Sequence, residues 1–395
     1  MIRSSKHVLK YQTHTKTLVL DQIFEDYKQL VQSYIVLIKT KVLPLKINLS
    51  SKELPDSSKI KHSQWKQIAY ANASEIVRST LKKVSSKTFS KYKKLYSKCL
   101  KENKHKTFTS KRYSDLNINL LKRVKADIKN VSINIDQRLV DCEFGKYFDE
   151  FVRIKSPYFK EGKLRSVTIN LPIKHHKQSL KYNSWNRKKT VKLIKKNNKC
   201  FISFSYEKNT PEVKNEGKEL GLDIGYKKLI TTSDKEFYGT ELLKLYERIS
   251  RAKQGSKNFK QLLNERDKLV NEACNKLPVK ELQKLFIEDL KNVKHKSIFS
   301  KKFNNKLQRW SYQKTISKLE RLCEENGVLL TKVDPAYTSQ TCHQCGTVEK
   351  KNRNGEIYKC SCGLETDADY NAAVNILHRG IYNSSVSKTN LLTSL

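Results

Sequence analysis

Hydrophobic positions in the first third of the chain recur at helical spacing. They stand three or four residues apart, at Leu20, Ile23, Phe24, Tyr27, Leu30, Val31 and Tyr34. This spacing predicts an amphipathic helix from Leu18 to about Lys41. A Ser-, Lys- and Pro-containing stretch, Pro44 to Lys61, interrupts the pattern, and helical spacing returns from Trp65 to Lys83 and from Phe89 to Lys101. We therefore expect a helical subdomain over residues 16–128.

From Val131 onward the pattern changes to short alternating runs that are rich in β-branched residues. The runs are VSINID, FVRIKSPYF, LRSVTINLPI, TVKLIKK and CFISFSY, and turn-forming residues separate them. They predict a small antiparallel barrel or sandwich, because alternation gives each strand one buried and one exposed face. Residues 1–15 are also predicted to be extended.

A linker rich in Pro, Glu, Lys and Asn, Thr210 to Lys218, precedes a third region in which strands and helices alternate. Strand patterns occur in GKELGLDIGYKKLITTS, KLFIEDL and GVLLTKV, and helical patterns occur across Leu242 to Asn275, near Lys301 to Asn326 and in ADYNAAVNILHRG. This order predicts an α/β sheet domain. The tail after Gly380 is rich in Ser, Asn and Thr and is predicted to be disordered.

The charge of the chain is strongly positive and unevenly distributed. Its 395 residues contain 80 Lys and Arg against 39 Asp and Glu, a formal net charge of +41, and residues 1–215 hold 48 of the basic but only 17 of the acidic residues. Such an excess favours a polyanionic partner through counterion release, and nucleic acid is the first candidate. Aromatic residues interleaved with the basic ones between Phe151 and Cys200 favour the same partner.

Membrane insertion and secretion are not predicted. The chain has no apolar run of about 18 residues, and its N-terminus lacks the apolar stretch of a secretory signal. We expect an intracellular protein, cytoplasmic and nucleoid-associated in a prokaryote. Nine cysteines in such a chain favour metal ligation and core thiols over disulfides. The isolated cysteines, which we expect to have no special role, are Cys99, Cys142, Cys200, Cys274 and Cys323.

Three carboxylates stand at informative positions, because a charge in an apolar strand is costly to bury unless it is paired or holds a metal, and the start of a helix favours an anion. Asp223 lies in a hydrophobic strand, Glu288 ends another apolar strand, and Asp369 opens a helix. An oxygen-only set of ligands suits Mg²⁺. Two such ions about 4 Å apart would orient a hydrolytic water at a phosphodiester and stabilise the leaving oxygen.

Each carboxylate also has a plain structural explanation. Asp223 could belong to a strand-end turn, and Glu288 could lie on a sheet edge. Asp369 could form a capping box with Thr366, while Asp367 competes as the N-cap of the same helix. Individually the three signals are weak, and only their order along the chain is informative.

Four cysteines have the spacing of a structural zinc site. Cys342 and Cys345 form C-x2-C, and Cys360 and Cys362 follow as C-x-C. Four thiolates from two tight turns match the tetrahedral site that Zn²⁺ prefers. The second pair is tighter than the usual C-x2-C. His343 lies between the first two cysteines and is expected to be an exposed polar loop residue rather than a ligand.

These motifs resemble TnpB, the OrfB protein of insertion sequences, a family related to the compact type V CRISPR effectors. The resemblance covers residues 216–380 and rests on GLDIG, IEDLKNVKHK, KLQRWSYQKTISKLE, VDPAYTSQTCHQCG and CSCGLETDADYNAAVNI. It implies a RuvC-type triad of Asp223, Glu288 and Asp369, and thereby selects Asp369 over Asp367. Ala368 departs from the Arg that is more frequent in the family.

The resemblance also implies a multidomain α+β organisation. Residues 1–15 and 129–214 would form a wedge-like β-barrel with an inserted helical recognition lobe at 16–128. Residues 215–335 and 364–380 would form an RNase H-like nuclease of the RuvC type that carries the zinc ribbon, 336–363, with the tail at 381–395.

The implied function is that of a transposon-encoded, RNA-guided DNA endonuclease that recognises a short motif beside its target. Its expected cofactors are two Mg²⁺ ions, which Mn²⁺ can replace, and structural Zn²⁺. Its expected partners are a guide RNA and double-stranded DNA, with one monomer per guide and no membrane. Three alternatives stay open: a compact type V CRISPR effector, an RNA-guided DNA-binding regulator that no longer cleaves, and a structure-specific resolvase that needs no guide.

Overall fold

The computed structural model describes residues 1–40, 59–84, 131–159, 166–290 and 311–392, with the single positions 54, 90, 94 and 128. This part of the chain divides into two compact units, one over Ile2–Lys208 and one that begins at Asn209. The division lies next to the predicted linker. Apart from Ser90 and Lys94, the helix predicted at Phe89–Lys101 lies outside the described residues, as does the start of the basic helix near Lys301.

Over its described residues, the N-terminal unit combines two long helices with two antiparallel sheets. Its helices are α1 (His14–Thr40), α2 (Ser63–Val84) and the single turn α3 (Lys177–Leu180), and its strands are β1 (Ile2–Val8), β2 (Ile133–Ile135), β3 (Val140–Phe144), β4 (Glu150–Phe159), β5 (Ser166–Ile173), β6 (Asn186–Lys196) and β7 (Lys199–Glu207). One sheet has the order β1-β7-β6-β2 and the other β3-β4-β5. β1 pairs with β7, so the N-terminal segment joins the strand-rich part of the chain.

Aromatic side chains form much of the core between α1 and α2. Tyr27 and Tyr34 of α1 meet Trp65 and Tyr70 of α2, and all four are fully buried. The indole nitrogen of Trp65 also donates a hydrogen bond of 3.1 Å to the backbone carbonyl of Lys155 in β4. The helical spacing in the sequence therefore marks the faces that pack together, as the periodicity predicted.

The C-terminal unit is built on a five-stranded sheet with the order β10-β9-β8-β11-β12. The strands are β8 (Lys218–Asp223), β9 (Ile230–Thr232), β10 (Phe237–Tyr238), β11 (Leu282–Glu288) and β12 (Leu329–Val333). The central strands β8, β11 and β12 are parallel, whereas β9 and β10 pair antiparallel. Helices α4 (Leu242–Arg251), α5 (Lys257–Lys276) and α6 (Tyr312–Asn326) lie in the crossovers, as parallel strands require.

A small antiparallel sheet of three short strands follows, and the cysteine motifs lie before its first strand and between its last two strands. Its strands are β13 (Arg353–Asn354), β14 (Ile357–Lys359) and β15 (Glu365–Asp367), and the chain passes directly from β15 into the last helix, α7 (Ala368–Leu392). The prediction of a disordered tail at 381–395 is wrong as far as Leu392, because α7 continues through this segment. Local composition did not reveal that the helix extends beyond its packed first turns.

Helix α7 lies against β8 at unusually short range. A Cβ on Gly221 would lie 2.3 Å from the carbonyl oxygen of Ala373 and 2.7 Å from the backbone nitrogen of Leu377. Only glycine fits there, so Gly221 sets the distance between the helix and the sheet. Among the described residues, no helix combines bilayer length with sufficiently apolar side chains to span a membrane.

Candidate active site and cysteine ribbon

The three candidate carboxylates line one cleft of the C-terminal unit. Asp223 ends β8 and Glu288 ends β11, and these parallel neighbours pair with Leu222 opposite Ile287. The two side chains therefore leave the same edge of the sheet next to each other. Asp369, the second residue of α7, faces the same cleft, whose volume is about 560 Å³. β11 lies between β8 and β12, so the edge-strand explanation for Glu288 is wrong.

The start of α7 separates the roles of the two aspartates that compete in the sequence. The Asp367 carboxylate accepts hydrogen bonds from the backbone nitrogens of Asp369 (3.0 Å) and Tyr370 (3.1 Å). Asp367 is thus the N-cap, because these are the donors that an N-cap side chain satisfies. The Asp369 carboxylate is not needed as a cap and remains available to the cleft.

Asp223 and Glu288 both have raised pKa values. Burial raises the pKa of Asp223 well above its usual range, and the negative charges of Glu288 and Asp369 raise it further, against the opposing charge of Arg353. Burial also raises the pKa of Glu288, opposed by the hydrogen bond from Thr338. Like charges held together in a partly desolvated cleft are the electrostatic condition that a bound cation relieves.

Two cationic side chains approach the helical end of the cleft. Arg353 Nη2 donates to Asp369 Oδ1 at 2.8 Å, and Lys228 Nζ lies 3.8 Å from Asp369 Oδ2 while also binding Asp367. Arg353 comes from β13, inside the cysteine-rich segment. We did not identify either residue from the sequence, because both lie among many basic neighbours. The segment KKNR at 350–353 contains no signal that separates Arg353 from its neighbours.

Glu288 is held by residues that follow it in the chain. The Thr338 hydroxyl, which is buried, donates to Glu288 Oε1. The Tyr312 hydroxyl donates to the backbone carbonyl of Glu288 (2.9 Å) and accepts from the backbone nitrogen of Leu290 (3.1 Å). The end of β11 is therefore fixed both at its side chain and at its backbone, although neither support was identified in the sequence.

The four candidate zinc ligands converge. Their sulfur atoms all lie within 4.8 Å of one another, with Cys342 Sγ 3.7 Å from Cys362 Sγ and Cys345 Sγ 3.6 Å from Cys360 Sγ. A tetrahedral Zn–S₄ site with bonds of about 2.3 Å separates its sulfurs by about 3.8 Å. The thiols fit zinc, and the short C-x-C spacing does not prevent it.

In the described part of the chain, the three carboxylates do not form a group as tight as the four thiols. Asp369 is drawn towards Arg353, and Glu288 is held by Thr338. The donors are nevertheless of one kind, oxygen-only and converging on one cleft, which fits a hard cation such as Mg²⁺.

Helix α7 binds the loop that leads into the cysteine motifs. Asn371 accepts from the backbone nitrogen of His343 at 3.0 Å, and Asn375 donates to the carbonyls of Thr338 (3.0 Å) and Thr341 (2.7 Å). His343 is part-buried, with its ring nitrogen 2.9 Å from the Asn371 amide oxygen. His343 lies in a turn, as expected, but the expectation that it is exposed is wrong. These contacts connect the ribbon to the helix that carries Asp369.

Part of the C-terminal unit is similar to known proteins. Residues 312–376 match the family model described as Cas12f1-like, TNB domain. A CRISPR-associated endodeoxyribonuclease Cas12f1 from Sulfoacidibacillus thermotolerans is 37% identical over 127 residues, which is 30% of this chain and 27% of that protein. A TnpB-like protein of Methanocaldococcus jannaschii is 34% identical over 132 residues, 31% of this chain and 58% of that protein.

The similarity to solved structures extends further along the chain. A cryo-EM structure of a Cas12f1–sgRNA–target DNA complex aligns over 95% of this chain and 98% of that chain, with 15% identity and a TM-score of 0.47. The alignments to the curated Cas12f1 proteins span between 18% and 27% of their length.

Proposed function

We propose that this chain is an RNA-guided DNA endonuclease encoded by a transposable element, on the basis of its similarity to a TnpB-like protein and to Cas12f1 endodeoxyribonucleases. The observation that carries this proposal is the convergence of Asp223, Glu288 and Asp369 on one cleft beside a four-thiol ribbon. The cleft lies at the carboxyl ends of the parallel strands, where open α/β sheets bind their ligands. The strand order, three parallel strands continued by an antiparallel pair, supports the RNase H-like interpretation.

The proposed reaction is hydrolysis of a phosphodiester without a covalent intermediate. Asp223, Glu288 and Asp369 would hold Mg²⁺, which would supply an activated water and stabilise the leaving oxygen. Thr338 and Tyr312 keep Glu288 at the end of its strand. Arg353 orients Asp369 through its hydrogen bond. Its guanidinium lies at the rim of the cleft and has a geometry that matches a phosphate.

The ribbon is proposed to bind structural Zn²⁺ and to support the nuclease site. All four ligand positions are thiols, so no open coordination position is left for catalysis. The ribbon supplies Arg353 to the cleft, and β14 pairs with β15 immediately before α7, with Ile357 opposite Asp367. Folding of the ribbon would therefore fix both Arg353 and the first turn of α7.

The N-terminal unit is proposed to hold the guide RNA and the target DNA. Its sheets would form the wedge-like barrel and its helices the recognition lobe, which together read the short motif beside the target. Sequence specificity itself would come from base pairing with the guide. The concentration of positive charge in residues 1–215 supports this division of labour.

Three substitutions test the nuclease assignment. Asp223→Asn, Glu288→Gln and Asp369→Asn should each abolish cleavage of target DNA while binding of the guide RNA is retained, because each removes one charged oxygen ligand and little volume. The matched control is Asp334→Asn, an exposed carboxylate near the cleft, which should cleave normally. Cleavage is measured on plasmid targets with protein that carries the RNA co-purified from its native locus. An active Asp369→Asn protein would contradict the assignment.

The same preparation separates the alternatives. A discrete RNA derived from the end of the element supports the transposon-encoded nuclease, whereas an RNA from a neighbouring repeat array supports the CRISPR effector. Target binding by the wild-type protein without cleavage would identify a regulator, and cleavage of branched DNA without any RNA would identify a resolvase.

A further inference from the structure

The hairpin between β3 and β4 presents two aromatic side chains to solvent. Phe144 is 90% exposed and Tyr147 is 79% exposed, the highest values for any large hydrophobic side chain among the described residues. Single exposed apolar residues are ordinary, but two largely exposed aromatic rings at one hairpin tip favour a binding partner. No motif in the sequence assigned a role to this segment.

Aromatic packing and a close turn hold the hairpin tip in place. Phe148 packs edge-on against Phe151, with ring centroids 5.6 Å apart, and also contacts Tyr11 of the N-terminal segment at 5.2 Å. Gly145 makes the close turn possible, since a Cβ there would lie 2.6 Å from the Phe148 carbonyl oxygen and 2.7 Å from the Phe151 ring. The hairpin is thus preorganised, which reduces the conformational entropy lost on binding.

Several acidic side chains near the tip are already engaged. Glu143 pairs with Arg153, and the Asp149 carboxylate accepts the backbone hydrogen bond of His175 at 2.6 Å. Glu150 is buried and forms a two-pronged ion pair with Arg187, at 2.5 and 2.7 Å. These contacts reduce the repulsion that acidic residues would exert on a polyanion.

Lysines accompany the aromatic rings. Lys146 Nζ lies 5.9 Å from the centre of the Tyr147 ring, and Lys10 Nζ lies 4.9 Å from the centre of Tyr11. Exposed aromatic faces with adjacent cations are the combination that binds single-stranded nucleic acid, because the rings stack on bases and the cations contact phosphates.

We propose that Phe144 and Tyr147 form a stacking platform for unpaired nucleobases, with Lys146 placed for the adjoining phosphate. The inference rests on the proposed function and adds a specific contact to it. The unpaired base can belong to the guide RNA or to a DNA strand that base pairing with the guide displaces, and the chemistry of recognition is the same for both.

The test uses the purified full-length protein and single-stranded probes. Mixed-sequence RNA and DNA oligonucleotides are compared with abasic oligonucleotides of the same length and backbone, with binding followed by fluorescence anisotropy. Phe144→Ala and Tyr147→Ala should each weaken binding of a base-containing probe about tenfold and leave the abasic probes unaffected. Phe144→Trp should retain binding, because it keeps an aromatic face. A loss confined to RNA or to DNA identifies which strand occupies the platform.

The control variant is Val213→Ala, which removes an exposed apolar side chain that is not part of the hairpin and should not change binding of any probe. Unchanged binding by Phe144→Ala and Tyr147→Ala would overturn the inference and leave the nuclease assignment intact. An equal loss of affinity for base-containing and abasic probes would also overturn the inference, because stacking requires a base. A wild-type protein that binds neither RNA nor DNA would overturn the proposed function as well.

Discussion

The close contact at Gly221 should control both the stability of the C-terminal unit and the geometry of its cleft. Gly221→Ala adds a Cβ that meets the Ala373 carbonyl oxygen at 2.3 Å and the Leu377 nitrogen at 2.7 Å. Both are backbone atoms of α7, so no side-chain rotation relieves the overlap. Since non-bonded carbon contacts are optimal at about 3.5–4.0 Å, the helix must retreat by about 1 Å.

This displacement should affect activity more than stability. Overpacking of this kind costs about 1–3 kcal/mol of unfolding free energy. Asp369 moves with α7, whereas Asp223 stays with β8, and a misplacement of about 1 Å in a catalytic group reduces the rate about 10²-fold. Single-turnover cleavage and chemical denaturation of the same preparations measure the two effects separately.

A matched control separates displacement from general destabilisation. Gly255→Ala places a side chain at φ +83° in open space between α4 and α5, which costs about 1–2 kcal/mol through backbone strain alone. It should cleave at close to the wild-type rate. A Gly221→Ala protein with wild-type stability and wild-type cleavage would refute the claim that this glycine sets the helix position.

Three further predictions concern other parts of the molecule. Arg353→Ala should slow single-turnover cleavage about 10²-fold with guide binding unchanged. Arg353→Lys should recover only part of the rate, because lysine lacks the planar guanidinium. Equal rates for the wild type and both variants would exclude a role for Arg353. Zinc removal by a chelator, or Cys360→Ser, should expose the ribbon to limited proteolysis and reduce cleavage, and a full rate in verified zinc-free protein would contradict this coupling. Burial lowers the pKa of His7 from 6.5 to about 4, so the unfolded state binds the proton more readily than the folded state. The free energy of unfolding of the N-terminal unit should therefore fall by up to about 3 kcal/mol as the pH falls from above 6.5 to below 4. The denaturation midpoint of His7→Gln should depend less on pH than that of the wild type. The exposed control His14→Gln should show the same pH dependence as the wild type.

Much of the architecture is determined locally and could be predicted. The spacing of apolar residues indicated α1 and α2, and alternation indicated the strands from β4 to β7, because these patterns record which face of each element is buried. The C-x2-C and C-x-C pairs likewise predicted that four thiols converge, since a zinc site of this kind draws its thiols from two short turns. Net charge predicted a polyanionic partner without reference to any fold, and that partner stays a prediction.

Only the tertiary structure decided how the candidate site is assembled. It assigned the cap to Asp367 and left Asp369 to the cleft, and it placed Arg353 and Thr338 beside the carboxylates. These relations depend on contacts between residues that are distant in sequence, and a single basic or hydroxyl residue has no local signal for such a contact. The sequence alone could name the carboxylates and the cysteines, whereas their neighbours follow from how β11, the ribbon and α7 pack together.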